Sequence, residues 1–455
     1  MSAMMQNKTP PEAGSDTNSV SVGAKTPSEL QPQLASQQET TQTPTPAIPT
    51  VHSPPPDGGL LAWLHVLGGC MLFFNSWGLL NTFGVYQTYY ESGVMFERSS
   101  SAISWIGGIQ AYLVFMVGLF AGPIYDRGYF KSLIVFGSFA IAFGHMMLSV
   151  CHEYWQVLLS QGIVVGIGAG CLFVPCASIM PAYFSSKLGL AMGIASSGSS
   201  FGGVIYPIVL SRLLDRVGFP WAVRVIGFIA FGTLAIPMTI MRMRFKVPKA
   251  RALLDSTALT DWPYVIFVLA TMVGFTGLNV GIFYMGFYPF NRGIIDGQLS
   301  FYFVAIFNAA STVGRIIPNA ISDKVGPFNI MAPCSLITGV LLFCMVAMRY
   351  EADAIALTVL IGFFSGVFIA MPPVCFSALT KDRSKLGTRV GMGFGIVIAI
   401  SMLLGGPVAG AILGREEPLH WIGAWVYAGT FATASGFMYA VIRVMRSGYG
   451  LKVKG

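Results

Sequence analysis

The sequence predicts an all-α polytopic membrane protein, with twelve transmembrane helices arranged as two six-helix repeats. Three observations carry that expectation. Hydrophobic residues make up 54% of the 455 and charged residues only 10%, against about 25% charged in an ordinary soluble domain. Twelve apolar segments between 60 and 442 are each long enough to cross a hydrocarbon core of about 30 Å, which takes about 20 residues as a helix. Finally, "SKLGLAMG" at 186–193 is echoed by "SKLGTRVG" at 384–391, an offset of 198 residues.

The chain opens on a different material. Residues 1–56 hold no Phe, Tyr or Trp, ten of the 26 prolines and many Ser, Thr and Gln. Such a stretch cannot bury enough apolar surface to fold alone. Lacking the apolar core of a signal peptide, it reads as a retained, disordered cytoplasmic tail. Its Ser/Thr-Pro pairs permit phosphorylation, and a tether is the plainer role. The spans follow at 60–86, 102–125, 131–151, 155–179, 189–212, 221–241, 264–287, 300–320, 328–348, 355–377, 390–413 and 421–442. They divide the rest into an N-terminal half at 57–241, a cytoplasmic linker at 242–263 ("RMRFKVPKARALLDSTALTDWP"), a C-terminal half at 264–442 and a cytoplasmic tail at 443–455. The alternating short strands of an outer-membrane barrel are absent. All seven cysteines fall inside or at the ends of spans, without metal-ligand spacing, and read as small apolar packing residues.

Lys and Arg favour the cytoplasmic side near span ends. With the tail inside, 19 of the 27 basic residues fall on the cytoplasmic side and six outside, with Arg224 and Arg315 inside spans. Both termini are therefore expected in the cytoplasm. The net charge of +8 is a topology signal, and no RNA- or DNA-binding motif accompanies it.

Further correspondences sit at nearly the same offset. Pro175 matches Pro373 at 198, Asp126 matches Asp323 at 197, and Gly128 matches Gly326 at 198. The last two pairs lie in "GPIYDRGYFK" (122–131) and "NAISDKVGPF" (319–328), between the second and third spans of each half. Lys187 and Lys385 open spans five and eleven, which also carry Pro207 and Pro407. Parallel repeats of six helices, related by an axis along the membrane normal, describe the major facilitator architecture, with substrate held between the halves near the midplane. The loops containing Asp126 with Arg127 and Asp323 with Lys324 resemble that superfamily's cytoplasmic motif. A carboxylate there can meet a helix terminus and latch the inner face in one state; a plain turn needing Gly is the structural alternative. The small-residue runs "GIASSGSSFGG" (193–203), "GMGFGIV" (391–397) and "GGPVAG" (405–410) suit close backbone approach between helices, sliding or static.

The start of span one, "PPPDGGLLAW" (54–63), with Asp57, Gly58 and Gly59, resembles the Asp-Gly-Gly-x-x-x-Trp motif of the monocarboxylate porter family within that superfamily. "YFSSKLGLAMGIASSGSSFGG" (183–203) is similar to the family's span-five motif, and "GRIIPNAISDKVG" (314–326) to its span eight. The resemblance runs from 54 to 442, and the long polar tail is similar to the fungal branch. That branch's members are implied to move monocarboxylates, riboflavin-like compounds or secondary metabolites. The resemblance also implies that Arg315 binds the substrate carboxylate. In the proton-linked members an Asp precedes that Arg by one turn and a Lys stands in the outer half of span one; here Ser311 takes the Asp position and "GLLNTF" (78–83) has no Lys.

Arg315 precedes Asp323 by eight residues, about 12 Å along the helix at roughly 1.5 Å per residue. Asn308, Ser311, Thr312, Arg315 and Asn319 form one polar stripe. An intramembrane Arg is by default a functional site with a partner to be named. No Asp or Glu lies at that depth, so an anionic substrate would supply the missing charge, or carbonyls and polar neighbours would satisfy the guanidinium. Asn75, Asn279 and Tyr284 are further candidates for substrate contact, equally explained as interhelical hydrogen bonds. Asp57 at the inner mouth and His65 are the candidates for proton coupling, with an interhelical hydrogen bond as the plainer role of the His.

The function expected is secondary transport of a small organic solute, most simply a monocarboxylate or other organic anion, by alternating access. The competing expectation is an exporter or importer of a larger metabolite, such as a secondary metabolite or riboflavin-like compound. An enzyme would need clustered catalytic groups: the five His form no metal pair, no Ser-His-acid set is legible and no phosphate-binding Gly-x-x-x-x-Gly-Lys-Ser/Thr loop is present. A nutrient receptor would need a folded extension. The partners expected are the small-molecule substrate, with proton co-transport as a candidate coupling, and the lipid bilayer; no cofactor, metal or nucleic acid is called for. A monomer in the plasma membrane is the expected form.

Overall fold

The computed structural model describes residues 55–91, 93–98, 100–244, 255–382, 385–414 and 419–448, helical with short connections and without strands among them. Residues 1–54 of the expected tail, 245–254 of the linker and 449–455 lie outside the described residues. The described residues form one compact body.

Among the described residues, eight helices are long and apolar enough to cross a membrane. One of them, Leu188–Ile240, is two spans, because Gly218 adopts φ 73° inside it and Pro220 follows. Glycine alone enters that backbone region without strain, and proline cannot donate to the preceding turn, so the chain reverses between spans five and six. Helices Gly297–Val325, Leu386–Leu413 and Trp421–Ser447 bring the described spans to twelve. Their ends outrun the apolar segments in the sequence. Span eight continues to Val325 and span twelve to Ser447, because polar and basic last turns stay helical beyond the stretch that hydropathy marks. Span four opens on an α-helical turn at Tyr154–Val157 and passes through π-helical turns at Leu158–Val165.

Outward faces of the bundle expose large apolar side chains, among them Phe136, Phe139 and Phe143 of span three, Phe228 of span six and Phe437 of span twelve. An exposed apolar girdle of that extent suits acyl chains and not water. The two sets of six helices meet where span five crosses span eight and span two crosses span eleven. The small-residue runs at 193–203 and 391–397 contribute to these crossings, while the run at 405–410 packs on span seven of its own half. A Cβ on Gly122 would stand 2.7 Å from the Gly387 carbonyl oxygen, and one on Gly391 2.7 Å from that of Gly118. At the other crossing, Cβ atoms on Gly189 and Gly193 would overlap the Asn319 and Arg315 carbonyl oxygens. The same device closes each half internally, where a Cβ on Gly314 would overlap the Phe363 carbonyl oxygen of span ten.

Overpacking a tight contact costs about 1–3 kcal/mol or more. Gly314→Leu, between spans eight and ten, should therefore lower the melting temperature and the yield of monodisperse protein. Gly108→Leu, which meets nothing within 4 Å, should leave both near wild type. Equal behaviour of the two variants on size exclusion and thermal melting would contradict the packing described.

Candidate functional site: the interface between the halves

At one end of the bundle, here the latch end, two helices start against carboxylates from the opposite half. Asp323 accepts hydrogen bonds from the backbone N–H of Gly189 (2.6 Å) and Leu190 (2.9 Å), the first residues of span five. Asp126 accepts from the Thr388 N–H (3.0 Å) and hydroxyl (2.8 Å) at the start of span eleven. A helix N-terminus presents N–H groups without intrahelical partners and the positive end of the macrodipole, so an anion is stabilised there. The two repeated aspartates thus bind each half to the other. Arg127, Lys187 and Lys324 are exposed beside them.

Each of these helix starts is also held from within its own half. Asp57, itself at φ 52° with Gly59 at φ 88° after it, accepts from the Ser185 N–H, the Ser185 hydroxyl (2.8 Å) and the Ser186 N–H (2.8 Å). Gly58 meets nothing nearby, and the turn's conformational demand falls on Gly59. Burial opposes charge on Asp57, but the hydrogen bonds from Ser185 and Ser186 prevail and hold its carboxyl below the ordinary value. In the second half Asp255 plays the corresponding part. It pairs with Lys385 (3.1 Å) and with Arg389 (3.0 Å), while Asp261 takes the other side of Arg389 (3.0 Å). Burial again works against ionisation, yet the bonds from Thr257, Arg389 and Lys385 keep Asp255 at about 2. The sequence showed 242–263 only as a linker; an acid opposite the basic start of span eleven was the available signal.

His65 lies at the same end, fully buried. Its Nδ1 bonds the Leu61 carbonyl (2.8 Å) and its Nε2 the Arg242 N–H (3.0 Å), and the ring stacks on Tyr183 at 4.0 Å. It therefore ties the exit of span six to spans one and four, the plainer of the two roles expected for it.

Deeper in, Arg315 is 1% exposed. Its guanidinium donates to the Ser196 carbonyl (2.6 Å) and the Ser199 hydroxyl on span five of the other half, and to the Ser311 hydroxyl (3.2 Å) one turn back on its own helix. The partner that the sequence could not name is thus a carbonyl and two serines. Asn319 donates to the Arg315 carbonyl (2.7 Å), and a Cβ on Gly203 would stand 3.1 Å from the Asn308 amide, so the whole stripe faces span five. Arg315, Ser311 and Asn308 come together; the other three candidates stand elsewhere. Asn75 binds Thr233 (2.8 Å) and the Tyr206 hydroxyl (2.7 Å) inside the first half. Asn279 packs on Gly405 of span eleven, and Tyr284 lies edge-on to Trp421 at 5.9 Å.

At the span two and eleven crossing an aromatic cluster takes the place of polar groups. Phe394 of span eleven contacts Phe173 at 5.0 Å and Phe115 at 6.4 Å across the interface, and Trp77 faces Phe275 at 6.5 Å. Phe394 stands six residues past Thr388, about 9 Å along the helix, so it lies just inside the latch, at a depth comparable to Arg315. The Trp77 indole N–H is buried and finds no partner among the described residues. Composition alone gave no sign of this cluster, because aromatic residues serve packing and membrane belts equally. No His/Cys/Asp/Glu group able to hold a metal occurs among the described residues.

A paired bundle of six plus six helices, latched by repeated aspartates, has counterparts among known proteins. The Major Facilitator Superfamily profile matches residues 66–352. This chain belongs to the Major Facilitator Superfamily. It is similar to the MFS-type transporter dbaD of Emericella nidulans, with 57% identity over 385 residues that cover 85% of this chain and 86% of the relative. It is 39% identical over 365 residues, 79% of this chain and 73% of the relative, to the aspyridones efflux protein apdF of the same organism. Among solved structures, the FucP transporter in its outward conformation superposes with a TM-score of 0.65 at 15% identity, covering 83% of this chain and 98% of FucP. The human organic anion transporter MFSD10 gives 0.64 at 13%, with the same coverage. These two share the fold. The chain is accordingly a membrane transporter of a small organic solute, and monocarboxylate specificity does not follow from its family.

Two outcomes test the latch. A capping side chain contributes about 0.5–2 kcal/mol, so Asp126→Asn with Asp323→Asn should accelerate backbone deuterium exchange at 188–192 and 386–390; unchanged exchange there would remove the latch. The Asp255 clamp has a defined pH window. A carboxyl held at about 2 against an ordinary value of about 3.9 stabilises the folded chain above pH 4 and loses that contribution as pH falls toward 2. Asp255→Asn should therefore be less stable than wild type at neutral pH, by up to about 2.6 kcal/mol at 1.36 kcal/mol per unit, and the gap should close in acid. A gap independent of pH would contradict the ion pairs.

Proposed function

We propose that this protein exports a partly aromatic, acidic organic metabolite across the plasma membrane by alternating access of its two halves, with the latch end and both termini in the cytoplasm. The observation that carries this reading is the 57% identity to dbaD over most of both chains, joined by 39% identity to a protein named for efflux of aspyridones. Two features of the interface agree with it. The guanidinium of Arg315 is the deep cation between the halves, and the rings of Phe394 with Phe173 and of Trp77 with Phe275 meet across the same interface. A cargo with an acidic group and a flat apolar body would meet both as the halves part, Trp77 offering its free N–H. The chain works as a monomer in this reading, since the pathway lies within one bundle.

The monocarboxylate-porter likeness of the span-one motif bears on architecture more than on cargo. Asp57 and Gly59 build the turn that grips Ser185 and Ser186, a task independent of what is moved. Proton coupling through Asp57 requires this clamp to open first, because its hydrogen bonds favour the charged carboxylate. His65 is bound in the same way, with both ring nitrogens on backbone groups.

Counterflow in proteoliposomes discriminates the alternatives, using short monocarboxylates, riboflavin and aromatic acids as cargo. Aromatic acids should exchange, and Arg315→Ala should reduce their exchange by about tenfold or more, given about 1.5–3 kcal/mol for a hydrogen bond to a charged group. Exchange of lactate-like acids alone would restore the simple monocarboxylate reading. Exchange of neutral compounds alone, indifferent to Arg315, would end the acidic-cargo reading.

A further inference from the structure

A cavity lies at the latch end of the C-terminal half. It measures about 450 Å³ and opens between the start of span seven (Asp261, Pro263), the end of span ten (Ala378–Asp382), the start of span eleven (Lys385, Arg389) and the end of span twelve (Arg446). Its four cations are not equivalent. Lys385 and Arg389 are engaged by Asp255 and Asp261. Lys381 and Arg446 take part in no ion pair among the described residues, and Arg446 only rests over the Phe328 ring at 6.0 Å. Thr380 lines the same cavity; its hydroxyl is buried, with 5% of the residue exposed, and meets no hydrogen-bond partner among the described residues. A buried hydroxyl left unpaired carries a desolvation cost that a bound acceptor would remove. Pro263, Ala378 and Leu379 supply an apolar side to the same cavity.

We propose that this cavity is a binding site for a phosphate group, held by Lys381, Arg446 and the Thr380 hydroxyl. A phosphate offers several acceptor oxygens and more than one charge, which suits donors converging from two helices, whereas a single carboxylate has fewer oxygens to share. Asp261 and Asp382 also line the cavity and disfavour a highly charged polyanion, so a phosphomonoester fits better than a polyphosphate. Basic pockets between helices at the cytoplasmic ends of membrane proteins receive anionic lipid headgroups, and a free phosphate shares the same chemistry. An occupant would join spans ten and twelve to the beginning of span eleven, the helix end that Asp126 caps from the other half. The site is separate from the cargo pathway and stands whatever the cargo proves to be.

The test uses purified full-length protein and native mass spectrometry with phosphatidic acid, phosphatidylcholine or inorganic phosphate as probes. Wild type should retain phosphatidic acid in preference to phosphatidylcholine. The pair Lys381→Gln with Arg446→Gln should weaken that retention about tenfold, the equivalent of 1.4 kcal/mol. Thr380→Val, close to isosteric, should weaken it by less, while Lys131→Gln, an exposed cation elsewhere at the latch end, should not. Retention of phosphatidic acid that inorganic phosphate does not displace assigns the site to a lipid; displacement by inorganic phosphate assigns it to the soluble ion. Thermal melting confirms that each variant is folded. Equal retention of phosphatidic acid by wild type and the double variant, or none by wild type, overturns the site.

Discussion

Two helix N-termini that meet carboxylates from the opposite half govern this molecule. Spans five and eleven cannot begin in a buried interface with their first N–H groups unpaired, since each would cost about the desolvation of a lost hydrogen bond. The residues at the two N-cap positions, Lys187 and Lys385, supply no side-chain cap of their own. Asp323 and Asp126 supply the acceptors from outside the half. Their bonds exist only while the halves touch. A cap contributes about 0.5–2 kcal/mol, large enough to hold a closed face and small enough for a bound solute to offset. The glycines then decide how near the halves can come, and the aspartates decide how long they stay.

Each capped helix is also fixed in its own half, and the duplication shows in the position of the fixing acid more than in its chemistry. Asp57 precedes span one and grips Ser185 and Ser186 through backbone and hydroxyl donors. Asp255 precedes span seven and grips Lys385 and Arg389 through charge. Both acids belong to the segment entering their half, and both orient the N–H groups that the opposite half must cap. An intra-half clamp keeps the cap geometry intact when the halves separate, so that closing again needs no refolding of the helix start.

Much of this was legible in the sequence, for physical reasons that differ from residue to residue. The spans were legible because hydrocarbon thickness fixes an apolar length; their helical ends were not, because polar turns such as those ending at Val325 and Ser447 remain helical in the headgroup region. Asp126 and Asp323 were legible because a duplicated unit repeats its essential acids at a constant offset. Arg315 was legible by depth, whereas its acceptor, the Ser196 carbonyl, is backbone and leaves no mark in the sequence. The Asp255 clamp and the meeting of Phe394 with Phe173 depend on contacts over more than one hundred residues of chain. No periodicity records those. Asn75 was open to two readings, since a polar residue mid-span suits the pathway or an interhelical bond alike, and Tyr206 and Thr233 hold its amide within one half.

Arg315 joins the latch to the cargo in the reading proposed. Burying an unpaired guanidinium costs several kcal/mol, and here the cost is met by donors reaching across the interface to Ser196 and Ser199. Those acceptors leave when the halves part at this depth, while the Ser311 hydroxyl, one turn away on the same helix, stays. The guanidinium then requires water or an anion. A cargo carboxylate forms a stronger, charge-assisted bond than either serine group, so it stabilises the parted arrangement more than the closed one. That difference in affinity between two states is what a solute needs in order to move an equilibrium. Cargo and the span-five serines would then compete for one guanidinium, and opening would be coupled to occupancy without any titrating group at the midplane.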